Sequence, residues 1–169
     1  MKTLHVFLIL SLAAVMAVIS ACENITNPDP INVINEDKVA TIRGTVYANL
    51  DLTNDTTGVV EMNFERPPAG TNIKVLMDSE DFVASPQPGV NYQKLSYATT
   101  VDDSGNYIIE VPAMDTPLNA EIYLDEFSAT QVQADSSEES RIFSPAQFPY
   151  TVTVSAGFTT HRDIFYNSN

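Results

Sequence analysis

The sequence contains no tryptophan, one cysteine and two histidines, and beyond residue 20 it has no long apolar run. Each shortage excludes something. A single cysteine rules out an internal disulfide, so stability has to come from core packing. His5 lies inside the N-terminal apolar run, which leaves His161 as the one imidazole for the rest of the chain. One imidazole makes neither a zinc set nor a Ser-His pair with a defined third member, and His161 reads as a surface residue. Without tryptophan, sugar stacking falls to smaller rings, with Tyr92, Tyr97 and Tyr123 as the ligand-stacking candidates. Basic residues are scarce as well: 8 Lys and Arg stand against 22 Asp and Glu, a formal net charge of −14. Such a surface repels the phosphates of nucleic acid and anionic headgroups, which excludes both as charge-matched partners, and it favours solubility. No spacing selects two of the many carboxylates as an acid and base pair for glycoside hydrolysis. The sequence points to no enzyme.

What is present begins at the N-terminus. Lys2 precedes the nearly unbroken apolar stretch Leu4 to Val18, which closes on Ile19-Ser20-Ala21-Cys22. A positive start, an apolar centre and a small-residue end have the layout of a secretory signal, and the run is short for a membrane span. With cysteine directly after the small residues, the stretch resembles the lipobox of bacterial lipoproteins. That resemblance implies cleavage before Cys22, a thioether diacylglyceryl group on Cys22 and acylation of its new amine. It makes residues 1–21 a signal peptide and the lipid bilayer a partner through acylated Cys22. Glu23 stands where some bacteria place the aspartate that retains lipoproteins at the inner membrane, so the resemblance implies outer-membrane residence with the leaflet open. Residues 22–37 are crowded with Asn, Asp and Pro and read as a tether that Pro28 and Pro30 stiffen without folding it. Asn24-Ile25-Thr26 and Asn54-Asp55-Thr56 match the N-glycosylation pattern, a chance match in such a protein.

From residue 38 to 169 the texture is that of short strands between turn residues. Ala40 to Ala48 alternates, with Ile42 and Val46 on one face, and Gly44 on that same face suggests a close backbone approach or a bulge. Val60, Met62 and Phe64 repeat at period two, as do Ile73, Val75 and Met77. In Val90 to Val101, Leu95, Tyr97, Thr99 and Val101 share a face; Tyr107, Ile109 and Val111 share another beyond the Asp102-Asp103-Ser104-Gly105-Asn106 turn, which predicts a hairpin. Ala120, Ile122 and Leu124 alternate next. Glu126 to Glu139 reads as a short helix or an irregular edge strand, and Asp135 to Ser140 as a solvated, mobile excursion. Val152 and Val154 point one way, Gly157 turns the chain, and Phe158 to Tyr166 closes it with Ile164 and Tyr166 inward. About seven strands with Gly and Pro between them predict an all-β, antiparallel β-sandwich as a single domain.

Three segments in order resemble the carboxypeptidase-regulatory-like domains, which have the transthyretin-like (prealbumin-like) sandwich: Ile42-Arg43-Gly44-Thr45-Val46, Pro68 to Val75, and Ala98 to Pro112. Val154 to Thr160 also resembles that family's final turn. The resemblance covers roughly residues 39–165, and residues 113–147 exceed what the family module needs. It implies scaffold, assembly or carbohydrate-associated surface roles. The acidic loops supply calcium-ligand candidates in Asp51 and Asp55, in Asp78 and Asp81, and in Asp102 and Asp103, although no D-x-[DN]-x-[DN]-G pattern occurs. Asp102 and Asp103 also fit side-chain to backbone bonding in a turn. The expectation is a membrane-anchored envelope lipoprotein without cofactor, presenting its sandwich to an envelope protein or a glycan. The alternative is a carbohydrate- or calcium-binding surface lipoprotein.

Overall fold

Residues 37–55 and 63–169 are described by the computed structural model. The expectations for the signal peptide, Cys22, the tether up to residue 36 and the strand at Val60 and Met62 fall outside them. The described residues form ten strands: β1 (Val39–Ala48), β2 (Asn72–Asp78), β3 (Lys94–Thr100), β4 (Asn106–Pro112), β5 (Leu118–Leu124), β6 (Phe127–Val132), β7 (Glu138–Pro145), β8 (Tyr150–Val154), β9 (Thr159–His161) and β10 (Ile164–Ser168). One sheet runs β4-β1-β10-β7-β6, with β9 also on β1, and the other runs β3-β2-β5-β8. The fold is therefore an all-β sandwich.

Alternation builds the core. Ile42 and Val46 of β1, Ile73, Val75 and Met77 of β2, Val111 of β4, Ile122 of β5, Phe143 of β7 and Ile164 and Tyr166 of β10 are fully buried. Each such side chain stabilises the sandwich by roughly 1.5–3 kcal/mol relative to exposure. Phe82, from the 3-10 turn Ser79–Phe82 after β2, adds to the same core. The acidic stretch thus ends β2 at Asp78 and continues as a short helical turn that plugs the core with an aromatic ring.

The structure departs from the sequence expectations in four places. The predicted hairpin across Asp102–Asn106 is instead a crossing between sheets, since β3 pairs with β2 and β4 pairs with β1. The turn itself is as tight as expected: Asp102 Oδ1 accepts the Ser104 and Asn106 N–H groups, and Gly105 N–H donates to the Asp102 carbonyl. What separates the strands is the competition on either side. Val101 N–H is taken by the Thr71 carbonyl ahead of β2, and the Gly105 carbonyl by the Val46 N–H of β1. Second, the strand expected from Val90 begins only at Lys94, after a proline-broken loop.

Third, residues 126–145 take the edge-strand alternative rather than the helix, with β6 at the edge of the first sheet. They make a second hairpin, β6 with β7, that widens the first sheet and carries the strand total past seven. Glu138 to Ser140 already belong to β7, and Asp135 Oδ1 closes the turn by accepting the Ser137 N–H and hydroxyl. These bonds also hold the Asp135 carboxyl below its usual range. Fourth, the last strand is broken at Arg162 and Asp163, and both halves lie parallel to β1, β9 along Thr41–Arg43 and β10 along Val46–Ala48. The other strand pairs among the described residues are antiparallel.

Candidate functional site

The break in the last strand is built around the glycine that the alternation placed on the inward face of β1. Arg162 N–H donates to the Arg43 carbonyl at 2.8 Å, and the chain then jogs so that the Arg162 carbonyl turns in over Gly44. A Cβ on Gly44 would stand 1.9 Å from that oxygen, so the position admits only glycine. The turned-in oxygen is satisfied by the Tyr107 hydroxyl, which donates to it at 2.7 Å. Asp163 replaces the missing ladder carbonyl by accepting the Thr45 N–H at 2.9 Å on Oδ1. The close approach read from Gly44 is therefore real, and its cause is a strand junction.

Beside this junction lies a cleft of about 400 Å³, lined among others by Arg43, Thr45, Thr100, Asn106, Ile108 and His161. His161 stands opposite Arg43 in the register, and its Nε2 lies 3.7 Å from Asp163 Oδ1. Thr45 donates its hydroxyl to Asn106 Oδ1 at 3.0 Å. The lining offers a cation, hydroxyls and an amide to a polar ligand. The hydroxyls come from Thr45, Thr99, Thr100 and Tyr107, and Asp102 adds a carboxylate.

Four of the calcium-ligand candidates, Asp51, Asp55, Asp78 and Asp102, bond to neighbouring protein groups. Asp51 Oδ1 accepts the Thr53 N–H at 2.9 Å and its hydroxyl at 2.5 Å. Asp55 accepts the Asn49 side-chain amide at 2.8 Å and the Asn63 N–H at 3.0 Å. Asp78 pairs with Lys94 at 2.9 Å, a contact that raises the lysine pKa. Asp81 sits in the 3-10 turn, and Asp102 and Asp103 lie in the crossing turn. Among the described residues, no three of His, Cys, Asp and Glu come together as a metal cluster.

Sequence reasoning missed the organiser of the first acidic loop. Glu65 Oε2 accepts the Leu50 and Asp51 N–H groups at 2.8 and 3.0 Å, and its Oε1 accepts the Asn54 side-chain amide at 2.7 Å. In the alternating pattern it reads as one more solvent-side carboxylate, and no local signal marks it.

The stacking candidates are not on one surface. Tyr97 lies half-buried on the inner face of β3, where burial raises its pKa. Tyr123 lies on the outer face of β5, donating to Glu121 Oε2 at 3.1 Å. Tyr92 braces the loop before β3 by accepting the Gln87 N–H at 3.0 Å. The ring that joins Tyr123 is Phe148, edge-on at 5.1 Å and largely exposed. A second aromatic group, not legible from spacing, stacks Tyr47 on Phe165 at 5.1 Å with Phe64 edge-on at 5.3 Å. The Arg66 guanidinium caps it, 4.2 Å from the Tyr47 centroid, a cation–π contact.

Two tyrosines make the sandwich alkali-sensitive. Tyr107 and Tyr166 are buried and donate to backbone carbonyls, of Arg162 and of Asp125, and desolvation drives both phenols well above their usual range. In the unfolded chain a phenol titrates near pH ~10. A folded-state pKa raised above the unfolded one leaves stability intact below that pH and removes it as pH climbs beyond. The thermal midpoint should therefore fall steeply above pH ~10, and a midpoint flat to pH ~11 would contradict the burial of these two phenols.

No protein-family model and no curated protein matches the chain. Among solved structures it is similar to GBS52, the minor pilin of the Gram-positive pathogen Streptococcus agalactiae, at 13% identity and a TM-score of 0.41, over 78% of this chain and 45% of that one. It is also similar to the major plantain pollen allergen Pla l 1, at 17% identity and a TM-score of 0.38, over 78% of this chain and 94% of that one. The chain thus spans less than half of the pilin's length. Neither likeness bears on what this chain does.

Proposed function

We propose that this chain is a lipid-anchored envelope protein of a bacterium, whose sandwich is a non-enzymatic module for display, scaffolding or partner binding. The observation that carries the reading is the order apolar run, Ser20-Ala21, Cys22, with the chain's one cysteine at the junction. A diacylglyceryl group together with an N-acyl chain exceeds the two signals that stable anchoring takes. No helix among the described residues is long and apolar enough to cross a membrane; in this reading the acyl chains are the anchor. The tether then gives the sandwich loops a high local concentration near the envelope. The described residues show no metal cluster, and the polar cleft beside His161 fits a binding role. The carboxypeptidase-regulatory-like resemblance fits such a module, with the β6–β7 hairpin as an addition to it.

The test is fractionation of cells expressing the native chain and its Cys22→Ser variant. The native chain should sediment with membranes and the variant should move to the soluble fraction; equal membrane retention of both would end the proposal. The second reading, carbohydrate binding, is favoured by the exposed Phe148 against the half-buried Tyr123, bordered by Glu121 and Lys94 on one sheet face. Glycan binding lost in Phe148→Ala would select it over scaffolding.

A further inference from the structure

Sandwiches end in four outer strands, and each leaves a row of backbone N–H and C=O groups that natural proteins cap, charge or interrupt. Three of the four carry such a device. β4 has Glu110 and ends in Pro112. On β6, Val132 N–H donates to the Leu50 carbonyl and the Val132 carbonyl accepts Leu52 N–H. On β8, the Thr153 carbonyl is taken by the Thr160 hydroxyl. β3 is different. After Lys94 at its start it reads Leu-Ser-Tyr-Ala-Thr-Thr and runs on into Val101, without a further charge, a proline or a glycine, in a chain of net charge −14.

The register shows which groups are free. Ser79 N–H donates to the Gln93 carbonyl and Val101 N–H to the Thr71 carbonyl, so the hydrogen-bonded pairs between β2 and β3 involve the odd-numbered residues of β3. The N–H and C=O groups of Ser96, Ala98 and Thr100 consequently point away from β2, and among the described residues nothing bonds them. On the core side, Leu95, Tyr97 and Thr99 are only half-buried, so the interior is incompletely covered along this edge.

We propose that β3 is a dimerisation edge, taking β3 of a second copy of this chain antiparallel across a two-fold axis at Ala98. That axis pairs Ala98 with itself through its own N–H and C=O. It sets Ser96 opposite Thr100, two hydroxyl side chains on the outer face. On the inner face it sets Leu95 against Val101 and Tyr97 against Thr99, which extends the apolar layer from one copy to the next. At each end it sets Lys94 opposite Asp102 of the second copy. Lys94 already faces Asp78 and Glu121, and it is the one cation of the strand. The sequence is thus self-complementary in this register, as an isologous interface requires, and no carboxylates oppose each other along the paired run. A parallel or shifted approach loses the Lys94–Asp102 match. The self-matching pattern favours a second copy over a strand of another protein. Nothing in this pairing depends on the anchor.

Sedimentation velocity on the purified full-length protein in non-ionic detergent, over a range of concentrations, tests it together with two substitutions. Ala98→Pro removes an N–H that β2 does not use, at an edge position where proline is tolerated. It should weaken association at least roughly tenfold through the hydrogen bonds lost at the axis, while leaving the thermal midpoint near that of the parent. Ala98→Cys in a Cys22→Ser background should form a disulfide-linked dimer under mild oxidation, because facing residues of a hydrogen-bonded pair sit ~5.5 Å apart at Cα, within disulfide reach. Ser96→Cys in the same background should not, because its copies are about 13 Å apart along the strands. A monomer at every concentration, a dimer that persists in Ala98→Pro, or cross-linking as efficient at Ser96 as at Ala98 would each overturn the proposal. Should Ala98→Pro fail to fold, the contrast between the two cysteine positions decides alone.

Discussion

Gly44→Ala should lower the stability of the sandwich by about 3 kcal/mol or more, a drop in thermal midpoint of ~10 °C. The methyl group has nowhere to go. The atom it meets at 1.9 Å is the Arg162 carbonyl oxygen, a backbone atom fixed on one side by the Arg162 N–H bond to Arg43 and on the other by the Tyr107 hydroxyl. Relief requires either β1 to leave its partner or the junction to unravel, and the junction also carries the Asp163 bond to Thr45 N–H. Gly70→Ala is the matched control. Its glycine has a φ of +86° and open space around the site, so only backbone strain of roughly 1 kcal/mol is expected. Thermal melts of the two variants side by side separate close approach from conformational strain. A Gly44→Ala protein melting like the Gly70→Ala one would show that the junction yields.

Val111→Asp should abolish folding outright. Val111 is fully buried opposite Ala40 in the register, and no cation lines that part of the core. A carboxyl placed there must either stay ionised without a partner or take up a proton, and either course costs several kcal/mol on top of the lost apolar contact. A domain of this size has about 5–15 kcal/mol in hand, and the combined loss leaves too little to hold the native state. The neighbouring Glu110→Gln, on the exposed face of the same strand, should change stability by less than ~0.5 kcal/mol. Circular dichroism at room temperature reads both, and a folded Val111→Asp protein would contradict the assignment of β4's inner face.

These two predictions differ in how far the sequence alone reaches. Period-two alternation reports burial directly, so Ile42, Val46, Ile73, Val75, Met77, Val111, Ile122, Ile164 and Tyr166 are legible as core from the residue pattern, and all are buried. An inward glycine in a strand is legible as a close approach for the same reason. Pairing is another matter. The Asp102–Asn106 turn has the same chemistry whether the strands it joins pair with each other or part to separate sheets. The choice is made by Thr71 and Val46, which compete for the flanking backbone groups from far along the chain. The parallel docking of Thr159–His161 on Thr41–Arg43 joins opposite ends of the domain, and no local pattern encodes it. Glu65 as loop organiser and the Tyr47–Phe165–Phe64 stack share that property, since each gathers residues that only the fold makes neighbours. For the candidate ligands, Asp102 is legible as turn chemistry. That Tyr97 and Tyr123 face opposite sides of one sheet follows from the registers of β3 and β5 on β2.

The reading of this chain as an envelope-held module turns on the state of one sulfur. Intact-mass measurement of the protein isolated from its own cells tests it most directly. The account predicts a chain that begins at Cys22 and carries a diacylglyceryl thioether with an acylated amine. A mass corresponding to the whole chain, or to a chain with an unmodified Cys22 thiol, would contradict it.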